Sequence, residues 1–259
     1  MADLCLQSGC RVVSVDYRRP PECPFPAPLE DVLRAIDHLP GRVVLAGDSA
    51  GGGLCVAALV ALRHRGAAMP AGAVLFSPWV DLSDTTGPTW QSNNRLIDYL
   101  PRDLAQLFAS AYAGDLELTD PRISPLFADL SGLPPLLVEA GGGEVLLGQI
   151  QAFTAAATDR GVAVSLTVSA DMVHVFQLFK GFGMSAPGKS MARAADFISC
   201  IANGRAPNSA TPQEEVGELA DHDYPQLQAQ LSEEGRRLLS ESLSVSAVSG
   251  PSAAAASIE

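Results

Sequence analysis

An α/β fold on a mostly parallel sheet is what this sequence predicts, and three observations predict it. Short β-branched or apolar runs alternate with stretches of helical spacing from residue 11 to residue 202. One such run, Val43–Ala46, meets Gly47-Asp48-Ser49-Ala50-Gly51-Gly52-Gly53 and then the Ala/Leu/Val-rich stretch Leu54–Leu62, which reads as strand, tight turn and helix. The chain has 259 residues, 47% of them apolar, enough for one sizeable core, and its composition changes near Asn203.

The elements follow in order. Ala2–Ser8 reads as the last turns of a helix closed by Gly9. Arg11–Asp16 is β-branched and bounded by turn signals, so it reads as a strand. Tyr17–Pro28 carries Pro20, Pro21, Pro24, Pro26 and Pro28 and reads as extended surface chain. Val32, Leu33, Ile36 and Leu39 give Leu29–Leu39 a helical stripe that Pro40-Gly41 ends. Val43–Ala46 is the next strand and Ala50–Gly66 the next helix. Gly72–Phe76, Leu136–Ala140 and Val162–Val168 are further strands, with helices expected over Gln149–Arg160 and about Ser190–Ala202. Ser77–Leu130 is polar and punctuated by Pro, Asn and Asp, with one helical piece at Pro101–Tyr112, and reads as an insertion over the sheet. In the tail, Gln226–Leu243 has leucines near one face of a helix, and Ser244–Glu259 is low-complexity and expected to be disordered.

Composition excludes several function classes. The formal charge is −12 and no Lys/Arg run occurs, which argues against nucleic acid and against an anionic membrane surface. Cys5, Cys10, Cys23, Cys55 and Cys200 are odd in number and lack C-x-x-C spacing, so neither a disulfide framework nor a zinc site is expected. Asp3 sits where a signal peptide would be basic, and the longest apolar run, Leu54–Leu62, is too short to span a bilayer. A soluble, cytoplasmic protein is the expectation.

Gly47-Asp48-Ser49-Ala50-Gly51 fits G-x-S-x-G, the strand-to-helix turn that presents a serine nucleophile. The serine takes a strained conformation, and residues two away on either side are expected to need the absence of a Cβ. Such a serine needs a base. His38 and His64 fall in or near helices and His222 in the acidic tail, whereas His174 follows the last strand, where chemistry gathers in parallel sheets. For the carboxylate that orients the base, Glu144 follows the strand Leu136–Ala140 and stands between serine and histidine in the chain, as this fold expects. Asp171, three residues before His174, competes with it, and Glu139 competes less well from inside a strand.

Several stretches together carry a family resemblance. Tyr17-Arg18-Arg19-Pro20-Pro21-Glu22-Cys23-Pro24-Phe25-Pro26-Ala27-Pro28-Leu29-Glu30-Asp31 resembles Y-R-x-x-P-E-x-x-F-P-A-x-x-E-D of the hormone-sensitive-lipase-like esterases, a branch of the α/β-hydrolases. Gly47–Gly52 matches that branch's G-D-S-A-G-G, and Ser77-Pro78-Trp79-Val80-Asp81-Leu82, Leu133–Val138 and His174-Val175-Phe176 resemble its later segments. The likeness runs from about Ala2 to Ala202. It implies an α/β-hydrolase fold over 1–202 with a helical cap at about 79–129, followed by an acidic tail at 203–259. It also implies hydrolysis of carboxylic esters with short or medium acyl groups, without metal or cofactor. By resemblance Ser49 is nucleophile, His174 general base and Glu144 the acid, where the family usually has Asp. The amide of Ala50 would serve the oxyanion. Trp79, Trp90, Leu96, Tyr99, Leu100 and Phe108 become candidates for the substrate pocket.

One part of the pattern is absent. Similar enzymes carry H-G-G-G ahead of the strand matching Arg11–Asp16, and its amides supply most of the oxyanion hole. Residues 1–259 contain no H-G-G. Each lost donor costs about 10²–10³ in turnover, so weak activity is expected, and a non-catalytic binding or regulatory protein on the same fold is the alternative. The resemblance thus implies an N-terminally incomplete member. The strand that precedes the loop in the family would separate Arg11–Asp16 from Val43–Ala46, so without it the two flank a gap, pair directly, or leave an apolar edge exposed, and an exposed edge would favour self-association.

Overall fold

The structure, a computed structural model of the chain, describes residues 2–93, 98–180, 183–206, 213–215 and 233. Helices α1 (Ala2–Ser8) and α2 (Ala27–His38) precede strand β1 (Val44–Asp48) and helix α3 (Ala50–His64). Strand β2 (Gly72–Phe76) leads into α4 (Pro88–Asn93) and α5 (Arg102–Ala113). Strand β3 (Leu136–Gly141), helix α6 (Leu147–Asp159), strand β4 (Val164–Ser169), helix α7 (Ala186–Ala202) and the short strand β5 (Gln213–Glu215) complete the order. Among the described residues the sheet has five strands in the order β1-β2-β3-β4-β5, every pair parallel.

Parallel strands joined by helices must be covered on both faces, and the period of two sorts the side chains accordingly. Ala73 and Leu75 of β2 join Leu136 and Val138 of β3 in the cluster that holds α2, α3 and α6. Val74, Phe76 and Leu137 point the other way, into a cluster with Leu4 of α1 and Met191, Ala194, Phe197, Ile198 and Ile201 of α7. Helix α3 is apolar nearly all round because it lies between the sheet and α2. Val56, Leu59 and Leu62 are almost wholly enclosed, and each such burial contributes about 1.5–3 kcal/mol.

Three expectations change. Arg11–Asp16 forms no strand: the segment is unpaired, and Val13 is 46% exposed. A β-branched run becomes a strand only beside a partner, and on its open side β1 pairs with no described strand. Helices α2 and α7 begin earlier than the apolar stripes suggest, with Pro28 and Pro187 in their first turns, where the missing N–H costs no helical bond. Strand β5 was not foreseen in the tail, and it takes its place by parallel pairing with β4. The expected helix Gln226–Leu243 and the low-complexity Ser244–Glu259 lie outside the described residues apart from Glu233. All five cysteines are free, and no described helix is long and apolar enough to cross a membrane.

Candidate active site

Four consecutive parallel strands deliver the site. Ser49 follows β1, Ser77 follows β2, Glu144 lies three residues past β3, and His174 follows β4 by five residues. All four therefore stand beyond the carboxyl ends of the strands, on one edge of the sheet.

Ser49 has φ 52° and ψ −122°, outside the regions L-residues favour, as a nucleophile elbow requires. The turn closes because a Cβ at Gly47 would overlap the Gly51 carbonyl, and one at Gly53 would overlap the carbonyl of Trp79. Gly51 departs from the expectation: a Cβ there would meet nothing within 4 Å. The glycine demanded after the serine is thus Gly53, and next to it Gly52, where an added Cβ would come within 2.8 Å of Pro78 Cβ.

The Ser49 hydroxyl lies 2.8 Å from His174 Nε2, and His174 Nδ1 lies 3.0 Å from Glu144 Oε2. With Glu144 ionised, Nδ1–H donates to the carboxylate and Nε2 is left to accept from Ser49. Glu144 is fully enclosed and His174 only 3% exposed. The other Glu144 oxygen accepts the Gly141 amide at 3.3 Å, and the Ser77 hydroxyl also bonds to this carboxylate. Ser77 in turn accepts the Val175 amide at 3.0 Å, so the loops after β2, β3 and β4 are joined.

Backbone strain concentrates here. Among the described residues the non-glycine positions with positive φ are Ser49, Ser77, Asp171 and Val175, all in these loops. For β-branched Val175, at φ 47°, this is a costly conformation, of order 1–3 kcal/mol, held by the packing around it.

Burial pushes the Glu144 carboxyl above the ordinary carboxylate range, against the hydrogen bond and charge of His174. For His174 burial is the largest influence and acts to lower its pKa. The Glu144 hydrogen bond and the charges of Glu144, Asp98 and Asp48 outweigh it, and the imidazole ends above its usual value.

The competing acids are turned elsewhere. Glu139 faces α7, where Arg193 forks onto it at 2.8 and 2.7 Å. Asp171 sits in the left-handed turn at φ 64° ahead of the histidine. His38 is exposed and bonds the Arg34 carbonyl, His64 is exposed at the end of α3, and His222 lies outside the described residues.

A cavity of about 440 Å³ opens at Ser49 and His174. Trp79, Leu82, Tyr99, Leu100, Phe108 and Ile123 give it an apolar wall, while Tyr17, Arg19 and Asp48 add polar groups. Of the residues named as pocket candidates, Trp79, Tyr99, Leu100 and Phe108 line this cavity. Trp90 does not: it is wholly buried, packed in the core where α4 meets α6, and is no part of the pocket. Trp90 is the one large apolar side chain of α4, and it turns into the core. Leu96 lies outside the described residues. Ala50, whose amide would face an oxyanion, is exposed.

Two contributors escaped the sequence reading. Ser77 stood inside a quoted motif but without a role, and Asp98 was not singled out at all. A strand-end position was the available signal for Ser77, the same that identified Glu144 and His174. Nothing local marks Asp98, because its partners are remote in sequence.

Comparison with known proteins places the fold. A family model described as alpha/beta hydrolase fold matches residues 1–178. An acetyl-hydrolase of Streptomyces hygroscopicus is 43% identical over 183 residues, covering 66% of this chain and 59% of the relative. An esterase of Acinetobacter venetianus is 31% identical over 208 residues, covering 78% of this chain and 68% of the relative. The crystal structure of an esterase from the bacterial hormone-sensitive lipase family superposes with a TM-score of 0.72 at 42% identity, over 77% of this chain and 69% of that one. The chain thus spans little more than half the length of the acetyl-hydrolase. With its parallel sheet, its serine elbow and these relatives, it belongs to the α/β-hydrolase fold family, in the hormone-sensitive-lipase-like branch.

Proposed function

We propose that this chain is a serine hydrolase of carboxylic esters with short or medium acyl groups, in which Ser49, His174 and Glu144 act as a triad. The observation that carries the reading is the unbroken run of hydrogen bonds from Ser49 through His174 to Glu144, at 2.8 and 3.0 Å. The names of the relatives, esterase and acetyl-hydrolase, support the reaction class.

In the first step Ser49 Oγ bonds to the ester carbonyl carbon and its proton passes to His174 Nε2. Glu144 holds the imidazole in orientation and stabilises the imidazolium. The carbonyl oxygen, now negative, takes the Ala50 amide as donor. Collapse breaks the ester C–O bond, and His174 returns the proton to the departing alcohol, leaving acyl-Ser49. Water, deprotonated by His174, then releases the carboxylic acid and restores Ser49. Segment 79–129 serves as the cap, and Trp79, Leu82, Leu100 and Phe108 receive the acyl chain.

A second reading is binding without turnover on the same fold. A fluorophosphonate probe separates the two, since it labels only an activated serine. Labelling of Ser49, lost in Ser49→Ala, is expected, together with slow turnover of p-nitrophenyl butyrate. A wild-type chain that labels no faster than Ser49→Ala would overturn the catalytic reading. We also propose that the open edge of β1 associates with a second copy of the chain.

A further inference from the structure

Asp98 is a buried acid, 5% exposed, that the triad chemistry does not use. It precedes α5, and its own neighbours Tyr99 and Leu100 form part of the pocket wall. Its side chain reaches far from its place in sequence. Oδ1 accepts the Tyr99 amide at 2.8 Å and the His174 amide at 3.2 Å, while Oδ2 accepts the Val145 amide at 2.9 Å.

Those three amides belong to three different parts of the site. Tyr99 is pocket wall, Val145 adjoins the acid Glu144, and His174 is the base itself. The Tyr99 ring also stands 6.1 Å from the His174 ring, so wall and base touch through side chains as well. Three N–H donors converging on two oxygens call for a group that only accepts. A carboxylate meets that demand. An asparagine of the same shape would turn an NH₂ toward at least one donor and leave buried polar groups opposed.

We propose that Asp98 is a positioning residue for the hydrolytic reaction, its carboxylate holding the loops of both Glu144 and His174 and fastening them to the wall of the acyl pocket. The proposal rests on the triad reading above. It goes beyond it in making the pocket wall and the proton relay one hydrogen-bonded unit, so that a disturbance at Tyr99 reaches the histidine backbone.

The negative charge has a second consequence. The charged groups acting on His174 are Glu144, Asp98 and Asp48, all of which favour the imidazolium. Burial raises the pKa of Asp98 itself, while the His174 charge and its three backbone donors act to keep the carboxylate ionised. Removing the charge should therefore lower the pKa of His174, an effect that mere loosening of the fold does not produce in a fixed direction.

The test compares Asp98→Asn with Asp81→Asn in the full chain. Asp81 is another buried acid, 8% exposed, whose carboxylate serves Ser83 and touches neither triad loop. Titration of the His174 ring carbon by NMR is the first readout, and fluorophosphonate labelling of Ser49 the second. Asp98→Asn is expected to lower the His174 midpoint and to slow labelling by about 10–10²-fold, the cost of a misplaced base. Asp81→Asn is expected to leave both unchanged, whatever it does to the melting temperature. An unchanged His174 midpoint in folded Asp98→Asn would overturn the proposal. Should that variant not fold, the wild-type chain still decides: the amide protons of Tyr99, Val145 and His174 are expected to report one common titration, and separate midpoints would overturn it. If the wild-type serine is never labelled, the esterase reading fails, while the NMR titrations judge Asp98 independently.

Discussion

Ser49 stands between two unlike surroundings. On one side the loops after β2, β3 and β4 bring Ser77, Glu144 and His174 together, with the first two fully enclosed and the third nearly so. On the other side β1 is the edge among the described strands, Ala46, Asp48 and Ala50 are exposed, and the segment 11–16 forms no strand. Strands β2 and β3 are buried along their whole length, whereas in β1 only Leu45 is buried and Ala46 and Asp48 are exposed. The difference teaches that an α/β site has two separable halves. In the proposed triad, proton transfer would rest on loops that the core itself fixes, whereas the oxyanion would face the edge side, where the Ala50 amide is the group assigned to it.

The strongest way to break this comparison is to damage the enclosed half. Glu144→Gln keeps the shape but removes the charge that stabilises imidazolium. Labelling of Ser49 should fall by about 10³-fold or more, as loss of an oriented base costs. The pH profile should move as well. In the wild type the base must be neutral to act, and its pKa lies above the ordinary value of 6.5, so labelling should rise with pH through a midpoint above 6.5. In Glu144→Gln burial is opposed by fewer charges, and the midpoint should drop. A variant that labels at the wild-type rate and midpoint would mean the buried carboxylate is only structural.

The second test adds to the exposed half. Fusing ahead of Met1 a segment that carries an H-G-G-G loop should supply amide donors beside that of Ala50. Turnover of p-nitrophenyl butyrate is expected to rise by about 10²–10³-fold, the value of a recovered oxyanion donor. The labelling midpoint should stay in place, because His174 and its charged neighbours are unchanged. A graft that folds and binds but leaves turnover flat would show that Ser49 is limited elsewhere.

The halves also differ in how far they were legible. The parallel strands Gly72–Phe76 and Leu136–Ala140 and the positions of Ser49, Glu144 and His174 follow from local signals: apolar runs, a glycine turn and strand ends in chain order. Arg11–Asp16 has the same local signals and is not a strand, because pairing is supplied by a neighbour and not by the run itself. Trp90 and Asp98 were unreadable for a related reason. One faces the core and the other bonds amides 47 and 76 residues away, and no window of sequence contains both ends of such contacts. Gly51 shows the limit in the opposite direction, since the motif names it while the crowding falls on Gly52 and Gly53.

The smallest effect expected concerns the edge itself. The Ala71 amide donates to the Val43 carbonyl and the Ser49 amide to the Phe76 carbonyl, so the odd-numbered residues bond to β2. By the alternation of a parallel ladder, Val44, Ala46 and Asp48 turn their N–H and C=O groups to the open side. Such a row is a template for another strand, and a second copy offers an identical one. Ala46→Pro removes one outward donor without removing a bond to β2, and proline is tolerated on an edge for that reason. Light scattering after size exclusion should show the wild type associating reversibly and the variant with a dissociation constant about 10-fold weaker, or about 1.4 kcal/mol. The net charge of −12 opposes the approach of two copies, so association should strengthen as salt is added. A wild-type chain that stays monomeric at high salt and high concentration, where charge is screened, would mean that this edge does not pair with a second copy.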